Sequence, residues 1–449
     1  MRSPKPRTFF IENLGCPKNL VEGEGMAETL ARAGYAATAD ARRADVVVVN
    51  TCSFIRPAQE ESIERIFHYV NARRRGQKVI AAGCLAERFG EALKADVPEL
   101  DGILGTRRWH EIDRLLEQVE RGEKPCWHEV PGSAERSLDP TFARSAVSPT
   151  AYVKIAEGCN MTCTFCAIPS FKGKQRSKPP DDVVREIREL VAAGAREVIL
   201  VSQNTTAYGQ DFASEPDLTG TTLSRLLERI CADVPDLPWL RFHYCYPGWV
   251  NDELLQTMAR LPQVVKYLDM PLQHADPAIL KAMRRPSDVQ HVRAVLARAR
   301  ELMPELALRT TFIVGFPGET SAQFRSVLQL MRDVRFDRVG VFPYYPEDGT
   351  PAATLGGQVA DRTKQSRKRQ ALALQQEISA AHNQRFIGQT IQVLVEGQAE
   401  GRGQLIGRTY RDAPEVDGFV LFSGTARRGD LAAVQIAGAG PYDLFGAQV

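Results

Sequence analysis

The sequence has almost no net charge, no long apolar run and few histidines, and each shortage excludes something. Lys and Arg number 57 against 55 Asp and Glu, so no bulk field is available to hold a large polyanion, and strong nonspecific nucleic-acid binding is not indicated. No stretch of ~18 consecutive apolar residues occurs, which argues against a membrane-spanning helix. The amino-terminal segment is basic (Arg2, Lys5, Arg7), but Glu12 interrupts the apolar run Phe9-Phe10-Ile11, so it does not read as a targeting peptide. A soluble, cytoplasmic protein is expected. The seven histidines form no evident pair with a carboxylate, so no general acid–base dyad stands out.

What the chain does have is cysteine, nine of them. An odd count without a secretion signal points to metal or redox chemistry rather than a disulfide framework. Six fall into two sets of three: Cys16, Cys52 and Cys84, far apart in sequence, and Cys159, Cys163 and Cys166, clustered. Cys126, Cys231 and Cys245 stand outside both and read as plain core or surface thiols.

A length of 449 residues allows two to four domains, since single cores stop growing at roughly 250–300 residues. From Thr8 to about Glu120, short apolar runs (Phe9 to Ile11, Val46 to Val49, Val79 to Ala82) alternate with amphipathic segments, a parallel α/β layout. Each run leads directly into a cysteine, as Leu14-Gly15-Cys16, Asn50-Thr51-Cys52 and Ala82-Gly83-Cys84. All three thiols should therefore sit at the carboxyl edge of one sheet, where open α/β sheets hold their ligands. Residues 122–148, rich in proline and without periodicity, read as a linker. Six strand candidates follow, beginning near Tyr152, Glu197, Trp239, Val265, Ala307 and Asp337, with helical patterns between them. The first of these helices shows Val183, Val184, Ile187, Leu190 and Val191 on one face, Asp181 and Asp182 at its start and Gly194 at its end. Six βα units predict an open (β/α)6 barrel with reactive groups at the strand carboxyl ends. A charged helix over about Asp361 to Phe386 leads to short β-type runs (Ile391 to Val395, Gly418 to Phe422, Leu431 to Ile436) that read as a small appended β-barrel. The expected domains are 7–121, 149–382 and 383–449, an α/β class overall.

The string Glu157-Gly158-Cys159-Asn160-Met161-Thr162-Cys163-Thr164-Phe165-Cys166 follows the first barrel strand. Three thiolates on one loop can hold three irons of a cubane cluster and leave the fourth open. An open iron can take the amino and carboxylate groups of S-adenosylmethionine (SAM), and one electron through it can break the carbon–sulfur bond. This spacing resembles that of the radical SAM enzymes. A structural zinc site competes with this reading, but zinc wants a fourth protein ligand, and the nearest histidines, His128 and His243, are distant in sequence. The resemblance implies SAM contacts from Phe165 beside the last cysteine, Gln203 and Asn204 after the second strand, and Gly315 and Glu319 at the end of the fifth. Gln273-His274 follows the fourth. The set Cys16, Cys52 and Cys84, at matching strand ends beside small or turn-forming residues, reads as ligands of a second 4Fe-4S cluster.

Two three-cysteine sets in this order, with a small β domain behind them, resemble the methylthiotransferase family over nearly the whole chain: an amino-terminal cluster domain, a radical SAM core and a TRAM domain. Within it, the strings Gly15-Cys16-Pro17-Lys18-Asn19-Leu20, Ile168-Pro169-Ser170-Phe171-Lys172-Gly173-Lys174-Gln175-Arg176-Ser177 and Asp412-Ala413-Pro414-Glu415-Val416-Asp417-Gly418 are similar to the RimO branch, which modifies an aspartate of a small-subunit ribosomal protein. Tyr246-Pro247-Gly248-Trp249 departs from it at Gly248. Composition agrees: residues 383–449 carry six Arg, no Lys and seven acidic residues, unsuited to gripping transfer RNA. Asp412, Glu415 and Asp417 are candidates for docking a basic protein.

The resemblance implies that one SAM methylates sulfur held at Cys16, Cys52 and Cys84. A second is cleaved at Cys159, Cys163 and Cys166, and the deoxyadenosyl radical takes hydrogen from the aspartate β-carbon, which collects the methylthio group. It also implies a flavodoxin- or ferredoxin-type electron donor. Two alternatives stay open at this point: methylthiolation of a transfer-RNA adenosine, as in the MiaB branch, and a noncatalytic zinc and RNA-binding protein.

Overall fold

A run of four valines, Val46 to Val49, forms the centre of the first sheet because β-branched chains buried on both faces suit a parallel strand covered by helices. The computed structural model describes residues 6–128, 141–144, 148–399 and 403–449. In its first part the elements are β1 (Thr8–Asn13), α1 (Pro17–Arg32), β2 (Ala36–Ala37), β3 (Val46–Thr51), α2 (Arg56–Ala72), β4 (Lys78–Gly83), α3 (Cys84–Asp96), β5 (Gly102–Gly105), α4 (Ile112–Glu120) and β6 (Cys126–Trp127). They build one parallel sheet in the order β2-β1-β3-β4-β5-β6. One face packs on α1, α4 and the 3-10 turn before α4 through Met26, Leu30, Leu115 and Trp109, the other on α2 and α3 through Ile66, Val70 and Leu93.

The expected linker is shorter than its composition suggests. Cys126 and Trp127 pair with Ile103 and Leu104 as the sixth strand. Residues 129–140 and 145–147 lie outside the described ones. Between them Phe142 is buried edge-on to Trp109, ring centroids 5.6 Å apart, and Arg144 bonds Glu24 at 2.7 Å, Glu186 at 3.2 Å and the Tyr152 carbonyl at 2.8 Å.

The second part contains β7 (Thr150–Lys154), β8 (Ala156–Glu157), α5 (Ile168–Lys172), β9 (Arg176–Ser177), α6 (Pro180–Ala192), β10 (Glu197–Val201), α7 (Leu223–Asp233), β11 (Trp239–Phe242), α8 (Asp252–Arg260), β12 (Tyr267–Asp269), α9 (Pro277–Ala282), α10 (Val289–Leu302), β13 (Ala307–Val314), α11 (Ser321–Val334), β14 (Arg338–Pro343) and α12 (Asp361–Gln384). The parallel sheets β7-β10-β11 and β12-β13-β14 meet through a bridge between Leu240 and Val264. The result is an open barrel of six strands at the expected places. Val153, Val198, Leu200, Leu240, Leu268 and Leu308 point outward into the helical layer. In α6, Val183, Val184, Ile187 and Leu190 are buried, while Val191 is only partly covered.

The amino-terminal domain spans the gap between the barrel's edge strands. It holds β7 through the Lys154–Glu22 pair (2.8 Å) and the loop after β14 through the Arg88–Glu347 pair (3.1 Å). Tyr152, Ile199 and Val201, on the inner face, share a core with Val21, Met26 and Trp109.

The third part, β15 (Thr390–Gln398), β16 (Leu405–Arg408), β17 (Val420–Ser423), β18 (Leu431–Ala439) and β19 (Leu444–Gln448), closes into a barrel in the order β15-β16-β17-β19-β18. The sequence pattern marks three of these strands. β16 and β19 are short and each contains a glycine, which erases the alternation.

This small barrel is inserted rather than appended. Its segment from Arg408 to Asp417 fills the amino-terminal mouth of the large barrel. Arg408 bonds Glu197 at 2.7 Å, Arg241 donates to Glu197 at 2.7 Å, Arg338 meets Asp412 at 2.5 Å, Arg411 meets Asp337 at 2.9 Å and Tyr267 donates to Asp417 at 2.6 Å. Asp412 and Asp417 therefore do not dock a partner: both side chains are at most 3% exposed and already paired inside the protein. Of the three candidates only Glu415 is exposed. Among the described residues no helix is long and apolar enough to cross a membrane.

Candidate active site

Three adjacent parallel strands, β1, β3 and β4, deliver Cys16, Cys52 and Cys84 to one sheet edge. Gly15 and Gly83, at φ +87° and +93°, make the sharp exits that side-chained residues resist. A Cβ at Gly15 would lie 2.6 Å from the Cys52 Sγ, and one at Gly83 2.6 Å from the Thr51 carbonyl, so the thiols converge only because both positions lack side chains. Asn19 stitches the ends together. Its amide donates to the Leu14 and Thr51 carbonyls at 3.0 and 2.8 Å, and its oxygen accepts from the Cys84 thiol at 3.3 Å. Burial, reinforced by Cys16, pushes the Cys52 thiol up to about 11, and burial likewise raises Cys84. Bare thiolates are costly in such a place, whereas a metal centre replaces their lost hydration.

Cys159, Cys163 and Cys166 lie on the loop between β8 and β9, whose two strands pair as a short antiparallel clamp. Gly158 and Gly173, both at positive φ, bring the chain back on itself, and the Cys159 amide bonds the Gly173 carbonyl at 2.9 Å. The loop is anchored to the opposite side of the barrel: Thr164 donates to the Met283 and Ala282 carbonyls (3.1 and 2.8 Å), and its own carbonyl accepts from Ala352 at 2.9 Å. Phe165 packs beside Met283, Phe316, Tyr344 and Ala352, so it fastens the loop to the end of β13. Burial raises Cys159 and pushes Cys166 up to about 12. Among the described residues no histidine groups with either set.

The strand carboxyl ends carry buried polar atoms with no partner: Gln203 Oε1, Asn204 Nδ2, His243 Nε2 and Gln273 Oε1. Orphaned groups of this kind cost free energy unless a ligand satisfies them. Burial lowers His243 to about 3, which leaves a neutral ring. Tyr244 and Gln273 adopt φ of +68° and +72° without being glycine, local strain of the sort that gathers at binding sites. These features fit a polar cofactor such as SAM. Glu319 serves differently. One of its oxygens accepts from the Gly315 and Phe316 amides (2.5 and 3.1 Å) and the other meets Arg367 at 3.0 Å. It fixes the glycine turn from behind, and the Cβ position of Gly315 is taken by Lys364.

Sequence reasoning missed the charged residues between the two cysteine sets. Lys154, Lys172, Glu22 and Glu157 are largely buried and joined, with Lys172 bonding Glu22 at 2.7 Å and Glu157 at 3.2 Å. Lys18, two residues after Cys16, lies 3.9 Å above the Tyr244 ring. One signal was available: in Tyr152-Val153-Lys154 the strand alternation turns a lysine to the inside of the barrel. Of the three remaining cysteines, Cys231 and Cys245 are core residues, and Cys126 is half-buried beside Glu91 and His128, the donor atoms within 4.8 Å of one another.

Known proteins resemble this one in all three parts. The Radical SAM superfamily model matches residues 153–331, the model described as Uncharacterized protein family UPF0004 matches 8–105, and the TRAM domain model matches 387–449. A ribosomal protein uS12 methylthiotransferase RimO from Herpetosiphon aurantiacus is 44% identical over 98% of this chain and 99% of its own length. The chain belongs to the RimO family of methylthiotransferases. Other RimO proteins, from Chloroflexus aurantiacus (43% identical, 98% of this chain, 99% of that one) and Anaeromyxobacter sp. strain K (43%, 97% and 92%), align over equal extents. Family membership makes the protein a radical SAM methylthiotransferase, an enzyme. Among solved structures the fold is similar to TsrM, a radical SAM methyltransferase from Kitasatospora setae (TM-score 0.54, 15% identity, 78% of this chain, 74% of that one). It is also similar to OxsB, a cobalamin-dependent radical enzyme (0.51, 12%, 77% and 54%).

Proposed function

We propose that the enzyme attaches a methylthio group to the β-carbon of an aspartate in ribosomal protein uS12, using two 4Fe-4S clusters and SAM. The observation that carries this reading is the convergence of two separate three-cysteine sets onto strand carboxyl ends in a RimO-family chain. Residues 7–121 would present Cys16, Cys52 and Cys84, residues 149–382 would present Cys159, Cys163 and Cys166, and residues 383–449 would close the barrel below them. A three-cysteine cluster supplies an open iron for SAM and the electron that splits its carbon–sulfur bond.

The chain's own part is binding, orientation and shielding. Gln203, Asn204, His243 and Gln273 offer unpaired donors and acceptors to the amino acid and nucleoside portions of SAM. Phe165 and the turn at Gly315, backed by Glu319, shape one wall. The amino-terminal domain, laid across the barrel gap, keeps water and stray hydrogen donors from a radical and holds a sulfur-carrying site near the carbon that must receive it. Abstraction of a hydrogen atom needs no general base, in keeping with a neutral His243. A one-electron donor of flavodoxin or ferredoxin type would serve the barrel cluster.

The test is mass spectrometry of uS12 and of transfer RNA, each incubated anaerobically with the reconstituted enzyme, SAM and a reductant. A methylthio increment on a uS12 aspartate is expected. The same increment on RNA alone would overturn the substrate, and zinc without iron or acid-labile sulfide in the purified protein would overturn the chemistry.

A further inference from the structure

Between the two cysteine loops lies a buried chain of charge that the reaction as described does not use. Lys172 follows the barrel cysteines on α5; Glu22 lies on α1, which begins beside Cys16. The Lys172 ammonium donates to Glu22 Oε1 at 2.7 Å and to Thr106 Oγ1 at 2.6 Å, and the Thr106 hydroxyl donates to Glu22 Oε2 at 2.5 Å. Lys154 meets the same Glu22 oxygen at 2.8 Å and Glu157 at 2.5 Å. Glu157, two residues before Cys159, accepts from Gln203 at 2.6 Å. Lys154, Glu22 and Lys172 have side chains at most 4% exposed.

Ion pairs buried this deeply are often no more stabilising than apolar residues of equal volume, so stability is a poor reason for them. Their charge balance is more telling. Lys18, Lys154 and Lys172 face Glu22 and Glu157, an excess of one positive charge beside three thiols. Placement agrees: α5, which ends at Lys172, packs against α3, the helix that opens with Cys84.

We propose that Lys172, held by Glu22 and Thr106, is a positioning residue that locks the two cysteine loops in one register and supplies fixed positive charge to the Cys16, Cys52 and Cys84 site. The inference rests on the reading of that site as a cluster site. A fixed cation favours the more negative, reduced state of a bound cluster and so raises its reduction potential.

The experiment uses the full chain carrying Cys159→Ala, Cys163→Ala and Cys166→Ala, reconstituted with iron and sulfide, so that only the amino-terminal site is filled, and reads its potential by EPR-monitored titration. Lys172→Met should move the potential negative and Glu22→Gln should move it positive, with Lys172→Arg close to the parent. Loss of packing alone cannot produce shifts of opposite sign. With all six cysteines present, Lys172→Met should also lower the methylthio product formed per deoxyadenosine on the order of tenfold, while deoxyadenosine formation continues. No cluster in the triple variant would overturn the two-cluster reading. A cluster whose potential is the same in all variants, or moves the same way in both, would overturn this inference alone. If Lys172→Met fails to load, the sign of the Glu22→Gln shift decides.

Discussion

The two ends of the six-stranded barrel are both lined with buried polar groups, yet they handle them in opposite ways. At the amino-terminal end each carboxylate meets a cation or a phenol: Glu197 with Arg241 and Arg408, Asp337 with Arg411 and His382, Asp412 with Arg338, Asp417 with Tyr267. At the carboxyl end, amide and imidazole atoms of Gln203, Asn204, His243 and Gln273 are left without partners. Arginine, planar and always charged, serves the first purpose. Neutral groups with a spare donor or acceptor serve the second, because they can wait for a ligand without an unpaired charge. Buried polarity in itself is thus no marker of function, and single unpartnered atoms occur at both ends, as at Arg241 Nη2 and at Arg338 Nε and Nη1; what sets the carboxyl end apart is that the unpartnered atoms of Gln203, Asn204, His243 and Gln273 belong to neutral groups.

The contrast can be broken experimentally. The largest effect is expected at the carboxyl end: Cys163→Ala should reduce SAM cleavage to background by deoxyadenosine assay, whereas Cys16→Ala should leave cleavage and stop methylthio transfer. Equal loss of both activities in Cys16→Ala would end the division of labour between the two sites. At the other end, Glu197→Gln should destabilise the fold by about 3–5 kcal/mol, since Arg241 and Arg408 lose their shared counter-charge in a dry place. Calorimetry should show the lowered midpoint, and SAM affinity at the folded temperature should not change. Asn204→Ala should weaken SAM binding by about 1–3 kcal/mol and lower the melting midpoint far less than Glu197→Gln does, through loss of the single bond from the Thr206 hydroxyl (2.8 Å). An equal loss of stability in both variants would erase the distinction between the ends.

The smallest effect is on acidification. Burial alone would raise Glu197, but Arg408 and Arg241 outweigh it and lower its carboxyl to about 2; Asp412 is also held low, against its burial, by Arg338 and Arg411. A carboxyl whose folded value is depressed contributes stability above its unfolded value, and that contribution fades as pH falls toward the folded one. Thermal midpoints should therefore decline from about pH 6.5, because His243, lowered by burial to about 3, stays neutral while the unfolded ring takes a proton, and more steeply below about pH 4.5 as the carboxyls join. Asp417, raised by burial, acts in the opposite sense and should blunt the decline. A midpoint whose fall is no steeper below about pH 4.5 than above it would contradict the carboxylate assignment.

Much of this was legible in the sequence wherever one residue type carried one physical signal. Apolar runs with a cysteine at each end gave β1, β3 and β4 and their common edge, because parallel strands put every exit on the same side. The Cys159 loop was legible through spacing alone. The role of segment 408–417 was not. Its acids read as solvated or partner-facing, because pairing with Arg309, Arg338 and Tyr267, each far away in the chain, is a tertiary fact that no local pattern encodes. Lys172 and Glu22 were hidden for the same reason, being 150 residues apart. Glu319 lay where strand-end chemistry was expected, but its carboxylate turned back onto its own glycine turn, a choice of rotamer that sequence does not specify.

The insertion of segment 408–417 also bears on how the protein comes into being. A growing chain delivers all six barrel strands before that segment, so during synthesis Glu197, Arg241 and Arg338 must stay hydrated and the floor cannot dry out. Contacts that span so much sequence form late. The barrel is therefore completed by its most distal module, and its base sets only once translation has passed Asp417.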